Sequence, residues 1–190
     1  MTLQMRRAAM THLHSKDRAG APSPLRKKTP ASRVATLALL TTLALMFSYI
    51  EAMIPAPGPP GVKLGIANIV IVICLYRFSA SEAAAVNLLR VALAGLLFTG
   101  LFGALYSAAG AVLSLIGMAL LKKTNLFSMA GVSMAGGVLH NLGQLIVAAF
   151  LVEEAAIFYY FPLLLFSGIA SGLLTGIIAT LVARKLPARL

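Results

Sequence analysis

Long apolar stretches dominate the chain after residue 33, and short segments rich in charges, prolines or glycines separate them. A membrane-spanning helix needs about 20 mainly apolar residues, and the stretch from residue 82 to residue 121 is long enough for two crossings. Its glycines Gly100 and Gly103 permit a tight turn, so we predict that it folds back within residues 98–103. The pattern predicts six transmembrane helices, over residues 34–54, 62–76, 82–98, 101–121, 129–152 and 157–183.

The composition agrees with a membrane protein. Hydrophobic residues make up 59% of the 190 residues and charged residues only 11%, with a mean hydropathy of +0.92. A water-soluble globule of this size could not bury so much apolar surface. We therefore predict an all-α integral membrane protein with a bundle of six transmembrane helices, which excludes soluble enzymes and secreted disulfide-rich domains. A single cysteine, Cys74, also excludes a disulfide or a cysteine-based zinc site within one chain.

The positive charge is concentrated outside the apolar stretches. The formal net charge is +11, and residues 1–33 hold eight of the 16 lysines and arginines, together with three prolines and no apolar periodicity. This segment is predicted to be a disordered basic tail that lies in the cytoplasm next to anionic lipid. A transit peptide is the alternative, because the tail is rich in arginine and poor in acidic residues.

The remaining cations predict the orientation. With a cytoplasmic amino terminus, every cation except Lys63 and Arg90 falls in the tail, in an inner turn or at the carboxyl end. This is the positive-inside pattern, and six spans place both termini in the cytoplasm. We expect a multi-pass protein of the inner (plasma) membrane, with the lipid bilayer and not nucleic acid around its basic residues.

Polar residues follow one face of the fifth predicted helix. His140, Asn141 and Gln144 lie three or four residues apart, so they share a face at mid-membrane. Exposing polar side chains to lipid at that depth costs free energy. We therefore expect them either to form hydrogen bonds between helices or to line a ligand cavity.

Helix three carries a second polar pair. Asn87 and Arg90 are neighbours on one helix face because they are three residues apart. A charged side chain inside a membrane helix is costly, so we take Arg90 as a candidate functional residue. Arg90 could instead pair with Glu51 or with the carboxyl end of a helix. Asn68, in helix two, completes the intramembrane polar set.

Small residues recur at every fourth position in two helices, which permits close helix approach. Gly168, Gly172 and Gly176 form such a stripe in helix six, and Ala31 and Ala35 form a shorter one where helix one begins. The stripes serve either packing within the chain or docking to another membrane subunit.

No motif specifies catalysis, a metal or a cofactor. The sequence has neither a glycine-rich phosphate-binding loop nor an HExxH segment, and its histidines are scattered at positions 12, 14 and 140. We therefore predict no metal site, no cofactor and no enzymatic activity for this chain by itself.

One segment carries a family resemblance: residues 51–70 read EAMIPAPGPPGVKLGIANIV. The segment resembles the signature of the family known as Gx transporter or heptaprenyl diphosphate synthase component I. Residues 87–90 (NLLR) and 136–144 (GGVLHNLGQ) extend the resemblance, which covers essentially everything after residue 33. The family in turn is similar to the substrate-binding S components of energy-coupling-factor transporters.

That resemblance implies a six-helix protein that binds a small molecule beneath the loop joining helices one and two. It also implies a membrane coupling subunit that docks on small residues of helix one, here Ala31 and Ala35, and ATPase subunits that drive release. The loop would act as a lid through Pro55, Pro57, Gly58, Pro59, Pro60 and Gly61. The candidate substrate-binding residues are Glu51, Lys63, Asn68, Asn87, Arg90, His140, Asn141 and Gln144.

The two parts of the family name imply different functions. Synthesis of prenyl diphosphates requires carboxylate clusters that hold magnesium and diphosphate, and this chain has one aspartate, Asp17. The preferred hypothesis is a substrate-binding subunit for uptake of a small organic molecule. Arg90 and Lys63 suit an anionic substrate, whereas the family name suggests a quinone or an isoprenoid precursor. The alternative is a non-catalytic accessory subunit of a prenyl diphosphate synthase.

Overall fold

The computed structural model describes residues 29–54 and 64–186, and within these ranges all regular structure is helical. The predicted all-α class is therefore confirmed. A π-helical turn, Gly95–Thr99, precedes the fourth α-helix, and a 3₁₀ helix, Ala155–Tyr160, precedes the sixth. The α-helices of the described residues are α1 (Pro30–Met53), α2 (Ile66–Arg77), α3 (Ala80–Ala94), α4 (Gly100–Thr124), α5 (Met129–Val152) and α6 (Phe161–Lys185).

Four apolar helical segments of the described residues are long enough to cross a membrane: Pro30–Met53, Ala80–Thr124, Met129–Val152 and Ala155–Lys185. Helix α2 has only 12 residues. Large apolar side chains such as Leu96 and Phe150 are about four-fifths exposed on the outside of the bundle. Exposed apolar surface of this kind is compatible with a multi-pass membrane protein whose flanks contact lipid.

The long apolar segment Ala80–Thr124 is a helical hairpin. The side-chain amide of Asn87 in α3 donates to the carbonyl of Ala111 in α4, at 3.3 Å, and a Cβ at Gly95 would lie 2.5 Å from the Cβ of Ala104. These pairs are centred on Thr99 and Gly100, so α3 and α4 run antiparallel. Gly100 adopts a φ of 70°, which a residue with a Cβ rarely does, and the chain reverses there, within the predicted turn.

Helix α2 lies in the centre of the bundle. Eight of its twelve residues are buried, including the consecutive run from Ile69 to Leu75. A helix that is apolar on every side is stable only when other helices surround it. In contrast, α1 has just two buried residues, Thr41 and Ala44.

Cations cap the carboxyl ends of two helices, α2 and α6, at one end of the bundle. The ammonium of Lys122 donates to the carbonyl of Leu75 at 2.5 Å, and Arg77 donates to the carbonyls of Ala183 and Leu186. The last carbonyls of a helix have no partner within the helix, and positive charge there also interacts favourably with the helix dipole. The ends of α2, α4 and α6 therefore meet at one end, where the sequence placed three of the cationic segments.

Helices α5 and α6 cross at very short distance because glycines face each other. A Cβ at Gly137 would lie 2.3 Å from the carbonyl oxygen of Gly168, and one at Gly172 would lie 2.6 Å from that of Ser133. Ser133 also shares a hydrogen bond with Thr175, at 3.0 Å between the hydroxyl oxygens. The glycine stripe of α6 thus serves packing within the chain.

Candidate functional site

A cavity of about 110 Å³ opens between the helices. Residues from all six α-helices line it. One molecule of water needs about 10–15 Å³ by the same measure, so the cavity has room for a small solute.

Most of the residues proposed from the sequence come together here. The described ones that line the cavity are Glu51, Asn68, Asn87, Arg90, His140 and Asn141. Gln144 is buried in α5 but does not belong to the described lining. Lys63 and the proposed lid, with Pro55, Pro57, Gly58, Pro59, Pro60 and Gly61, lie outside the described residues.

Arg90 presents its guanidinium to neutral partners. One terminal nitrogen donates to the hydroxyl of Ser48 in α1 at 2.9 Å, and the other donates to the side-chain oxygen of Asn87 at 2.9 Å. Asn87 is one helical turn away in α3, and its own amide nitrogen is bound to the backbone of Ala111. The amide is therefore fixed with its oxygen toward Arg90, and both hydrogen-bond partners are uncharged. The carboxylate of Glu51, which lines the same cavity, interacts with the guanidinium electrostatically.

Glu51 links the carboxyl end of α1 to Gly65, the residue before α2. Its carboxylate accepts a hydrogen bond from the backbone N–H of Gly65, fourteen residues along the chain. Gly65 has a φ of 72° and directly precedes α2. The contact lies beside the cavity, because both Glu51 and Gly65 line it.

The polar residues of α5 are attached to the neighbouring helices. The amide nitrogen of Asn141 donates to the carbonyl of Leu164 at 2.7 Å and to the hydroxyl of Ser167 at 3.2 Å. The His140 ring lies against α4, where a Cβ at Gly110 would come within 2.9 Å of it. Asn141 therefore forms hydrogen bonds between helices and also lines the cavity.

Three buried side-chain atoms have no hydrogen-bond partner among the described residues: Nε of Arg90, Oγ1 of Thr99 and Oγ of Ser114. All three residues line the same cavity. A buried polar atom without a partner is destabilising by about 1–3 kcal/mol, so native proteins rarely leave one unless a water or ligand meets it. Their common location makes this cavity the candidate site of the described residues.

Sequence reasoning missed several lining residues. Ser48, Thr99, Ser107 and Ser114 were not proposed, although Ser107 and Ser114 lie seven residues apart and so share one face of α4. Serine and threonine often bond to their own helix, as Thr41 does to Leu37, so hydroxyls gave no clear signal.

The polar groups of the lining can bind a solute through hydrogen bonds and charge. Within residues 29–54 and 64–186, no three histidine, cysteine or acidic side chains gather where they could hold a metal ion. The lining combines one guanidinium, one carboxylate, amides and hydroxyls. These groups can orient an anionic, hydrogen-bonding solute.

Ala31 and Ala35, the proposed docking residues, are both exposed in α1. Side chains there are available to lipid or to another subunit, and within the described chain they do not form part of a buried interface.

Comparison with known proteins gives one result. No curated protein and no solved structure matches the chain. A family model described as heptaprenyl diphosphate synthase component I matches residues 40–182, a range that includes every described residue lining the cavity. This confirms the family resemblance seen in the sequence, and the chain belongs to the heptaprenyl diphosphate synthase component I family.

Proposed function

We propose that the chain is the substrate-binding subunit of a membrane uptake system, similar to the S components of energy-coupling-factor transporters, and that it binds a small organic anion. The feature that supports this function most directly is the guanidinium of Arg90. It lines an internal cavity, its hydrogen-bond acceptors are neutral, and its Nε is buried without a partner among the described residues. An anionic group provides both the missing acceptor and the opposite charge.

The segment 55–61 is the proposed lid. Its flanking residues Glu51 and Gly65 both line the cavity and are hydrogen-bonded to each other, which supports a lid over the site. Prolines restrict such a loop, while glycines permit the turns that it needs. Lys63 adds a second cation at the proposed mouth of the site.

Active uptake requires partners, because the sequence contains no ATP-binding motif. We propose a membrane coupling subunit that docks on the small residues Ala31 and Ala35 of α1, together with ATPase subunits. The exposure of both alanines supports this surface, since small side chains allow another helix to approach closely.

We further propose six membrane spans with both termini in the cytoplasm. The hairpin of α3 and α4 supports two crossings in the segment Ala80–Thr124, and α2 would be the short second span. The gathering of Arg77 and Lys122 at one end of the bundle supports a common, cytoplasmic side for that end.

Cysteine labelling tests this topology. In a Cys74→Ala background, Glu154→Cys should react with an impermeant maleimide in intact cells, because Glu154 belongs to an outer turn in the proposed arrangement. Thr124→Cys should react only after permeabilisation. Thr124 and Glu154 are both exposed, so a difference in labelling between them would not result from burial. Labelling of Thr124→Cys from outside would contradict the orientation.

The family description favours a second function, that of a non-catalytic accessory subunit in prenyl diphosphate synthesis. The single aspartate in the sequence fits an accessory role, because catalysis would then belong to a separate subunit with its own carboxylates. Such a subunit would alter the product length or the membrane attachment of its partner enzyme.

Reconstitution in liposomes separates the two functions. With coupling and ATPase subunits present, the wild-type chain should support uptake of the small molecule that copurifies with it, as followed by mass spectrometry of the vesicle contents. Ala35→Leu should abolish uptake while ligand retention stays normal, because added bulk blocks helix docking. Ala35→Ser keeps the side chain small and should retain uptake.

The accessory function predicts the opposite results. The chain would retain no small molecule by itself, and a soluble aspartate-rich prenyltransferase, not the ATPases, would respond to its addition. A change in prenyl product length without any uptake would contradict the transport proposal.

A further inference from the structure

The carboxyl-terminal part of α1, residues 45–53, forms one wall of the cavity. Ser48, Glu51 and Ala52 are the lining residues that α1 contributes to the described cavity, and all three lie in this part. None of residues 45–53 is buried, and Met53 is 66% exposed. Helices in lipid associate through close packing and hydrogen bonds, so a stretch without buried residues is held to the bundle by its individual side-chain contacts.

Three side chains attach this wall to the bundle. Ser48 accepts a hydrogen bond from Arg90 at 2.9 Å, and the ring of Tyr49 meets the ring of Phe98 edge to face, with the centroids 5.4 Å apart. The contact of the Glu51 carboxylate with the N–H before α2 is the third. All three partners line the cavity, so these contacts lie on the boundary between α1 and the remaining walls. Ser48, Tyr49 and Glu51 are called the latch below.

The middle of α1 is attached differently, through close packing. Thr41 and Ala44 are 5% and 0% exposed, and Leu37 and Leu40 pack against the buried core. The hydroxyl of Thr41 donates to the carbonyl of Leu37 in its own helix, so Thr41 meets the bundle through van der Waals contact. Contacts between small side chains permit a change of helix angle, whereas a hydrogen bond weakens steeply when its geometry changes.

We infer that residues 45–53 are a gate of the cavity, which opens when α1 tilts away from α3 about a pivot at Thr41 and Ala44. The other walls are less able to move, because α2 is buried in the centre and glycines hold α5 against α6. Ala44 and Met53 are nine residues apart, about 13 Å along a helix, so a tilt of roughly 20° moves the end of α1 by about 5 Å. The inference rests on the proposed function only in taking the cavity as the site of a solute.

Distances between spin labels test the pivot. In a Cys74→Ala background, nitroxide labels at Met53→Cys and Phe150→Cys report on the carboxyl ends of α1 and α5. Labels at Leu43→Cys and Ile116→Cys report on α1 beside the pivot and on α4. All four labelled positions are exposed. The full-length chain in lipid nanodiscs is measured by double electron–electron resonance.

The latch variant, Ser48→Ala together with Tyr49→Leu, removes two of the three contacts. In this variant the population with an end-to-end distance about 5 Å longer should rise about tenfold, because a hydrogen bond to a charged group and an aromatic pair are lost. The distance beside the pivot should stay the same. Tyr49→Leu by itself keeps the hydrogen bond to Arg90 and should give a smaller rise, which tests the gate if the double variant does not fold.

Thr42→Ala together with Tyr159→Leu is the matched control. The hydroxyl of Thr42 bonds to the carbonyl of Ala38 in its own helix at 3.0 Å, and Tyr159 is 88% exposed. This pair makes the same chemical changes away from the latch, so both distances should remain those of the chain with an intact latch.

Modification of a thiol in the wall measures access to the cavity. In the Cys74→Ala background, Ser107→Cys on α4 should react with the small, neutral methyl methanethiosulfonate about tenfold faster when the latch variant is added. Ser171→Cys, in the α6 part of the wall, is a second reporter with the same expected result.

The absence of longer end distances, equal lengthening beside the pivot, or an unchanged rate of modification would each overturn the inference. These outcomes are separate from those of the uptake assay. Uptake without longer distances in the latch variant would leave the transport role standing and remove the gate, whereas a moving gate without uptake would do the reverse.

Discussion

Replacing Arg90 by glutamine is expected to lower the affinity for the retained small molecule about 100-fold, which corresponds to roughly 3 kcal/mol. Glutamine keeps hydrogen-bonding groups near Ser48 and Asn87 but removes the charge that the anion requires. The amount of small molecule per protein after purification, measured by quantitative mass spectrometry, should fall at least to about one tenth of the wild-type value. The variant should still insert and elute as a single species, because the hydrogen-bond partners of Arg90 are uncharged and can also bond to glutamine.

Two matched arginine variants serve as controls. Arg90→Lys keeps the charge and loses the forked geometry, so it should retain an intermediate amount of ligand. Arg77→Gln removes an arginine at the far end of the bundle, where it closes the end of α6, and ligand retention should stay normal. Equal retention by wild type and Arg90→Gln would exclude Arg90 from the binding site, and loss of folding together with ligand would indicate a structural role instead.

The second large effect concerns the crossing of α5 and α6. Gly168→Ala should lower the free energy of unfolding by about 2 kcal/mol, because the new Cβ cannot fit without separating the helices. In the present packing that Cβ would lie 2.9 Å from backbone atoms of Gly137 and Val138, which cannot move aside as a flexible side chain can. The midpoint of thermal unfolding in detergent measures the change.

Gly131→Ala is the matched control in α5. A Cβ at Gly131 would be 3.6 Å from its nearest neighbour, a side-chain atom of Phe127, which is an ordinary contact. Alanine is a better helix former than glycine, so this variant should be unchanged or more stable by about 0.5–1 kcal/mol. If both alanine variants behave alike, close packing of the two helices does not explain the glycine stripe.

Local pattern was sufficient for the secondary structure and for part of the site. The fifth helix spans Met129–Val152 in the structure, the same residues that hydropathy predicts. A long apolar run between polar residues predicts a single helix with these ends. The ends of other helices differ from the predicted ends, because the local backbone geometry changes there. The π-helical turn extends α3 to Thr99, and a separate 3₁₀ helix precedes α6, neither of which hydropathy can detect.

The sequence predicts only in part how deep a polar residue lies in the bundle and which neighbour its side chain contacts. Asn87 and Arg90 were expected to be neighbours from their spacing, and their side chains do form a hydrogen bond. Gln144 shares a face with His140 on a helical wheel, yet it does not belong to the described cavity lining. A wheel gives the angle of a residue around its helix but not the height at which the neighbouring helices separate.

The sequence by itself determined the helical class, the family and the position of Arg90 within a long apolar segment, because hydropathy, spacing and motif are properties of local chain segments. Only the tertiary structure decided that Ser48, forty-two residues away in α1, is a partner of Arg90. It also decided that Thr99 and Ser114, whose hydroxyls have no partner among the described residues, line the same cavity. Which polar atoms meet depends on how each helix is rotated and paired. Here glycine contacts set that geometry at three crossings: α3 against α4, α4 against α5, and α5 against α6.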